Sequence, residues 1–544
     1  MPGVEGGLSV VLLVATAAAV AGVARRLNWS APLLCVLAGL VGSMIPGVPA
    51  FRIAPGIMLS LVLPPLLFSA ALDSSFVNFR RNLRPIGLLS VGLVLGTALV
   101  LGALMHAVVP GMTLPAACAL GAIVAPPDAV AATAIGRRLG LPRRLVVVLA
   151  GESLVNDATA LTAYRVAVAA AVGGAFSFAS AAGLFLLAAV GGVAVGYLTA
   201  VVVTWLTGRL RDPVLENSLM LLTPFLAFVP AEQVHVPGVL SVVPADEVHA
   251  SGVLAVVVAG LVIGHRAPRA STYATRLQAR AVWKMVDFLL ESAVFLLIGL
   301  QLRSVLAGLD EWSGGQLAGW AALAVAAVIV IRYLGVLPAT YLPRLLSRRL
   351  RERDPAPPWR WVAVEGWAGM RGVVSIAAAY GLPAGFPQRN LIIFLSFCVV
   401  IGTLVLQGFT LPAVIRRLGV AGEDDRRADD LAEAGAQHTA VSAALRRLEE
   451  VLADGSEVPE DVVSRLRERA ELRTFVAWER LGGGSDGSPL PETPSVAYRR
   501  LRREMLDAER EVFVGLRDEG RIDDEVLRRV QHELDLEEAM IARD

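Results

Sequence analysis

Apolar positions along this chain gather into long uninterrupted runs and do not alternate with polar ones. Runs of about 20 residues, the length that crosses the hydrocarbon of a bilayer as a helix, recur about thirteen times. They are centred near residues 16, 38, 62, 97, 125, 159, 192, 224, 257, 293, 329, 371 and 402. The pattern predicts an all-α membrane protein, because a helix satisfies its own backbone amides and lipid offers them no other partner. The first run, Leu8 to Ala24, has Arg25 and Arg26 after it and no basic residue before it. That order is the reverse of a cleaved signal peptide, so this run is expected to stay as a span.

The placement of arginine tests the count independently of hydropathy. Alternate connections carry Arg25 and Arg26; Arg80, Arg81 and Arg84; Arg137, Arg138, Arg143 and Arg144; Arg209 and Arg211; Arg266, Arg269, Arg276 and Arg280; and the run from Arg344 to Arg360. The intervening connections hold only Arg52, Arg303 and Arg389. By the positive-inside rule the arginine-rich side is cytoplasmic, which puts the N-terminus outside and the C-terminus in the cytoplasm. The chain therefore divides into a transmembrane domain, residues 1–415, and a cytoplasmic helical tail, residues 416–544, with a regulatory role open for the tail. Within the tail, residues 421–433 read as a charged linker and Gly482 to Gly487 as a flexible break. Ala444, Leu445, Leu448, Val451 and Leu452 recur at helical spacing, as do Leu501, Met505, Ala508, Val512 and Leu516, and Val526, Val530 and Leu534.

Composition narrows the class further. Of 544 residues, 55% are hydrophobic and 18% charged, and the net charge of +1 gives no basic excess for nucleic acid. Cys35, Cys118 and Cys398 are scattered inside apolar runs, which argues against a disulfide framework or a bound metal, and no cofactor is expected.

Two spans are damaged as helices. The fifth contains Ala125-Pro126-Pro127-Asp128, and the twelfth contains Gly366, Gly369, Arg371 and Gly372. Proline removes an amide donor and clustered glycine weakens the helix, so both are expected to unwind at membrane depth. These spans are seven apart, and an odd offset between repeats requires one to be inverted across the membrane. Paired broken helices in inverted repeats mark a secondary transporter with its site near the midplane.

Charges within spans are costly and need a partner or a purpose. The sixth span reads Gly151-Glu152-Ser153-Leu154-Val155-Asn156-Asp157-Ala158-Thr159. On a helix Glu152 and Asn156 share one face, and Ser153 and Asp157 share the adjacent one. The eleventh span holds a lone Arg332, which cannot shed its charge and demands a carboxylate. One of Glu152 and Asp157 is expected to be locked to Arg332; the other stays available. A partly desolvated carboxylate accepts a proton or a bare cation but not readily both, and that competition is itself an exchange mechanism. Carbonyls of the fifth break at Pro127, the Asn156 amide and the Ser153 hydroxyl are candidate oxygen ligands, with Asp128 capping a half-helix or ligating through water. Spacing alone leaves open which carboxylate plays which part.

The segment 151–160, preceded by Ala-Pro-Pro-Asp-Ala-Val-Ala at 125–131, resembles the monovalent cation/proton antiporter family, in the branch of bacterial and animal sodium/proton exchangers. Leu-Pro-Pro-Leu-Leu-Phe at 63–68, Phe-Leu-Leu-Glu-Ser at 288–292 and Gly-Met-Arg-Gly-Val-Val-Ser at 369–375 resemble it too. The resemblance implies an electroneutral antiporter of the cytoplasmic (inner) membrane that takes cytoplasmic Na+ or Li+ out against external H+. It implies a homodimer with dimerisation and core subdomains and an elevator-like motion, Asp157 as carrier beside Asn156, and Glu152 paired with Arg332. The chain departs from the family at Ser69, where a carboxylate is common, and at Pro127-Asp128-Ala129, where Thr-Asp-Pro is common.

Asp287 and Glu291, near Lys284 on the tenth span, are candidates for a cytoplasmic funnel. Glu365 and Arg371 are expected to stabilise the opposed ends of the broken twelfth span. Membrane lipid and a monovalent cation are the expected partners. Potassium/proton exchange is the alternative within the same chemistry and a cation channel the alternative from another class. A membrane hydrolase built on Ser153 lacks a histidine base at the same depth.

Overall fold

The computed structural model describes residues 2–27, 29–46, 55–172, 178–210, 212–233, 250–270, 272–306, 308–309, 311–420, 423–454, 458–479, 494–519, 521–522 and 524–543. Arg52, Arg211 and Gly482 to Gly487 lie outside them. Among the described residues every regular element is helical. The chain divides into two units, Met1–Ala421 and Gly422–Asp544.

Among the described residues of the first unit, eight helices are long and apolar enough to cross a membrane, including Leu83–Val108, Arg143–Ala171, Gly314–Leu346 and Arg389–Leu418. Four shorter apolar helices accompany them: Ala31–Met44, Met58–Leu72, Leu114–Val124 and Gly252–Ala267. This is a multi-pass membrane protein. Helices touch where side chains are smallest. A Cβ on Gly39 would overlap the Leu296 carbonyl, and one on Gly299 the Val36 carbonyl, so Ala31–Met44 and Tyr273–Leu300 meet backbone to backbone. With no hydrophobic drive between helices in lipid, such close van der Waals packing is what holds them.

The helix carrying Leu63, Pro64 and Pro65 adjusts for its missing amides by a wide turn over Met58–Val62, in which Leu63 N–H donates back to Met58 O. In two places the chain does more than adjust. Leu114–Val124 stops before Pro126-Pro127 and resumes as Ala129–Leu139. Trp359–Trp367 stops before Gly369 and resumes as Val373–Tyr380. The two breaks meet, since Asp128 N–H donates to Met370 O at 2.7 Å. The Pro127, Val124 and Gly369 carbonyls likewise accept from protein side chains, as backbone at membrane depth requires.

The second unit holds Glu423–Ala453, Glu460–Glu479, Pro494–Asp518 and Asp524–Arg543. The segment expected to be a charged linker, 421–433, is helical from Glu423; Glu423, Asp424 and Asp425 fall in its first turn, where the helix dipole favours acids, and arginine, alanine, leucine and glutamate follow as good helix formers. The last two helices pack through Leu506, Leu534 and Ile541, with Phe513 and Val530 beside them. Arg502 bridges to Glu537 at 2.8 Å and Arg510 to Glu538 at 2.7 Å. The Arg502 hydrogen bond holds the Glu537 carboxyl below its ordinary range. Leu501, Met505 and Val512, which the sequence groups by their spacing, are 54%, 55% and 61% exposed; Leu506 is the buried position.

Candidate functional site

The helix Arg143–Ala171 divides its polar residues between two faces, as its period dictates. Glu152 and Asn156 turn to protein partners. Arg332, on Gly314–Leu346, grips Glu152 with both terminal nitrogens, Nη1 to Oε1 at 2.7 Å and Nη2 to Oε2 at 3.0 Å. Both residues are 1% exposed. Arg332 Nε donates to the Glu365 carbonyl at 3.2 Å, so the guanidinium also ties down the end of Trp359–Trp367. A two-pronged, fully buried pair of this kind is a fixed strut. Asn156 Nδ2 donates to the Pro127 carbonyl at 2.7 Å, fastening the helix to the first break. Asn156 Oδ1 is buried with no hydrogen-bond partner among the described residues.

Ser153 and Asp157 turn the other way, into a cavity of about 250 Å3. Its wall also includes Pro127, Asp128, Asp287, Glu291, Asp73 and Ser69. Asp157 is 7% exposed, and no lysine or arginine bridges to it among the described residues. The structure thus brings Asp157, Ser153, Asp128, Pro127, Asp287 and Glu291 to one space and leaves Asn156 behind its wall.

The two breaks exchange charges. Arg371, 1% exposed, sends Nε to the Val124 carbonyl at 2.7 Å and Nη1 to the Gly369 carbonyl. Its amide donates to Thr403 Oγ1 at 3.0 Å. It therefore holds the Gly369 carbonyl of its own break and also caps the negative end of Leu114–Val124 in the other, because the crossing of the breaks lays Val124 beside it. Glu365 meets Arg332 through its carbonyl rather than its carboxylate. Reciprocally, Asp128 lies against Gly372, where a Cβ would overlap its carboxylate, at the positive end of Val373–Tyr380. Only glycine leaves room for that approach.

Asp287 accepts from the Ser69 hydroxyl at 2.5 Å, so Ser69 buttresses an acid of the cavity wall. Asp287 Oδ1 is buried without a hydrogen-bond partner among the described residues. Sequence reasoning treated Ser69 as a loss and missed this link, for which no local signal exists. It also missed a cluster at Asp354, which receives Arg84 at 3.3 Å, Arg144 at 2.5 Å and Arg344 at 2.8 Å. The available signal was one aspartate, Asp354, beside Pro355 at the end of an arginine-rich run.

A family model described as sodium/hydrogen exchanger, transmembrane, matches residues 11–245 and 239–417. An uncharacterized Na+/H+ exchanger of Mycobacterium bovis is 35% identical over 543 residues, covering 98% of this chain and 96% of that protein. A sodium, potassium, lithium and rubidium/H+ antiporter of Bacillus pumilus is 30% identical over 397 residues, covering 70% of this chain and 57% of its own length. The solved sodium proton antiporter MjNhaP1 from Methanocaldococcus jannaschii, at pH 8, shares the fold with a TM-score of 0.60 and 19% identity, over 77% of this chain and 99% of that one. Two crossed helix breaks, a strut of buried charge and an acid-lined cavity are thus carried by a chain whose whole membrane part matches one transporter family. It belongs to the sodium/hydrogen exchangers, for which the moving ions are substrates and no cofactor is needed.

Proposed function

We propose that the protein exchanges cytoplasmic Na+ or Li+ for external H+, one for one, by alternating access of the Asp157 carboxylate. The observation that carries this reading is the contrast on one helix between a clamped acid and an unclamped one. Glu152 is occupied by Arg332 and walled off, whereas Asp157 lines the cavity with no lysine or arginine bridging to it among the described residues. A charged carboxylate in so confined a space is costly, and either a proton or a monovalent cation removes the cost. Asn156 beside Asp157 leaves a single acid at that point of the helix, which favours one proton against one cation.

Around the carboxylate, hard oxygen donors suited to an alkali cation are within the same wall: Ser153, Asp128 and the Pro127 carbonyl. The Pro127 carbonyl already accepts from Asn156 and keeps one lone pair. Asp287 and Glu291 line the approach and gather cations electrostatically. Eight long apolar helices, four shorter ones and the second interrupted pair, among the described residues, support a reading of thirteen passes. With the arginine alternation, that number favours an external N-terminus, a cytoplasmic tail and residence in the inner membrane. The crossed breaks are the feature expected of inverted repeats, and they support an elevator-like movement of the core, carrying its site, against the dimerisation part of a homodimer.

The Bacillus pumilus relative, named for potassium and rubidium as well as sodium and lithium, favours a second reading in which K+ is also carried. Proteoliposomes under an imposed pH gradient separate these readings. Addition of Na+ or Li+ is expected to dissipate the gradient for the wild type, with saturation and without electrical current, and to do nothing for Asp157→Asn. Equal responses to K+ establish the broader selectivity, current that does not saturate indicates a channel, and full exchange by Asp157→Asn removes the carboxylate from the role.

A further inference from the structure

Close contacts sort the membrane helices into two groups. In the first, Gly264 leaves no room for a Cβ against the Leu72 carbonyl, and Gly192 and Gly196 leave none against the Ser251 and Ala255 carbonyls. Leu63–Leu72, Phe178–Thr207 and Gly252–Ala270 thereby meet at the backbone. Tyr273–Leu300 joins them through the stacked rings of Phe68 and Trp283, and Pro213–Gln233 through Asn217, which donates to Gln278 Oε1 at 3.1 Å. In the second group Gly121 presses on the Ala98 carbonyl, joining Leu83–Val108 to Leu114–Val124. The Glu152–Arg332, Asn156–Pro127 and Arg371–Val124 links add both breaks and the helices Arg143–Ala171 and Gly314–Leu346. Helices packed this closely move as one body.

The acid-lined cavity lies between the groups, with Leu67 and Asp287 from the first and Ser153 and Asp157 from the second. It reaches exposed Asp73 and Ala134, near the arginine-rich helix ends. At the arginine-poor ends two polar links join the groups instead. Arg165, roughly 12 Å beyond Asp157 along the same helix, bridges to Glu232 at 2.9 Å. Glu232 also accepts from the Gly252 amide at 3.2 Å, which fixes it within its own group. Tyr380, at the end of the second break's outer half-helix, donates its hydroxyl to Gln301 Oε1 at 3.2 Å, and Ser304 Oγ stands 3.3 Å from that hydroxyl.

These links differ in kind from the strut. The Arg332 and Glu152 side chains are 2% and 1% exposed and cannot part without stranding a buried charge, whereas those of Arg165 and Glu232 are 48% and 26% exposed. An exposed pair contributes little, and water replaces it when it opens. We propose that Arg165–Glu232 and Tyr380–Gln301 form the external gate of the exchanger. They join the two groups while the cavity opens toward the arginine-rich side, and they must part each time Asp157 is presented to the other. The inference rests on the alternating-access reading and names the residues that close the far side.

Cross-linking of the full-length protein in proteoliposomes tests it. The double variant Arg165→Cys/Glu232→Cys is expected to exchange cations, to fall to background once a short bis-methanethiosulfonate joins the two thiols, and to recover on reduction. Each single variant and the unmodified chain, treated alike, should keep their rates. If these replacements impair folding, Ser304→Cys/Tyr380→Cys puts the same question to the second link. Exchange by the linked protein above background would place both residues in one body and overturn the proposal. So would arrest of a single variant, which traces the loss to the modification and not to the link. The transport reading fails separately, through full exchange by Asp157→Asn; exchange that survives the link but not Asp157→Asn removes the gate alone.

Discussion

Glu152 and Asp157 lie five residues apart on one helix, yet they inhabit different kinds of space. Glu152 is sealed among helix backbones with both oxygens held by Arg332, and nothing about it is free to change. Asp157, rotated to the next face, looks into a cavity shared with Ser153, Asp128, Asp287 and Glu291. The difference teaches that a buried acid becomes structural or functional through what its face of the helix meets. A permanent counter-charge neutralises the first; the second is left for a mobile one. On this view the strut region should govern stability and the cavity region transport, and each can be disturbed alone.

The largest effect is expected at the cavity. Asp157→Asn removes the exchangeable charge at constant volume, and ion exchange in proteoliposomes should fall to background while the detergent melting temperature stays at or above that of the wild type. Next is the strut. Arg332→Leu leaves Glu152 buried and unpaired, for a loss of about 3–5 kcal/mol. Thermal unfolding in detergent should register it, and Glu152→Leu added to Arg332→Leu should restore most of the loss, since two packed apolar residues replace the pair.

Where the two regions touch, at the crossed breaks, Gly372→Ala forces its methyl onto Asp128 and should cost about 1–3 kcal/mol by overpacking. That variant sharpens the comparison by losing stability and exchange rate together. Ser69→Ala deletes the hydroxyl that holds Asp287 and should change the apparent cation affinity only a few-fold, about 1 kcal/mol, with stability unaltered. The smallest effect lies in the tail. Glu537 is held below its ordinary value of 4.5 by Arg502, so its contribution is complete at neutral pH and lost as pH falls through that depressed value. The packing of Asp524–Arg543 on Pro494–Asp518, followed by a fluorophore attached at exposed Met540, should loosen only in acid.

Local features of the chain were legible in advance. Pro126-Pro127 and Gly369 to Gly372 mark the breaks because missing amides and absent side chains act on their own segment. The i, i+4 rule sorts Glu152 with Asn156 and Ser153 with Asp157 before any contact is known. Other features had no local signal. The Ser69 hydroxyl meets an acid 218 residues away, and Arg371 caps a half-helix 247 residues away. In the tail, spacing picked out Leu501, Met505 and Val512 as a set, yet could not say that Leu506 would take the intramolecular contact.

A bundle of membrane helices with two interruptions, and one helix with two acids on neighbouring faces, follow from the order of residues alone. Hydropathy, helical period and backbone chemistry are properties of adjacent residues, so they can be read in order along the chain. That Arg332 stands opposite Glu152, 180 residues away, and that the face with Asp157 opens on a cavity became visible in the folded chain. Those outcomes depend on which helices cross and at what depth, and packing between distant segments settles that.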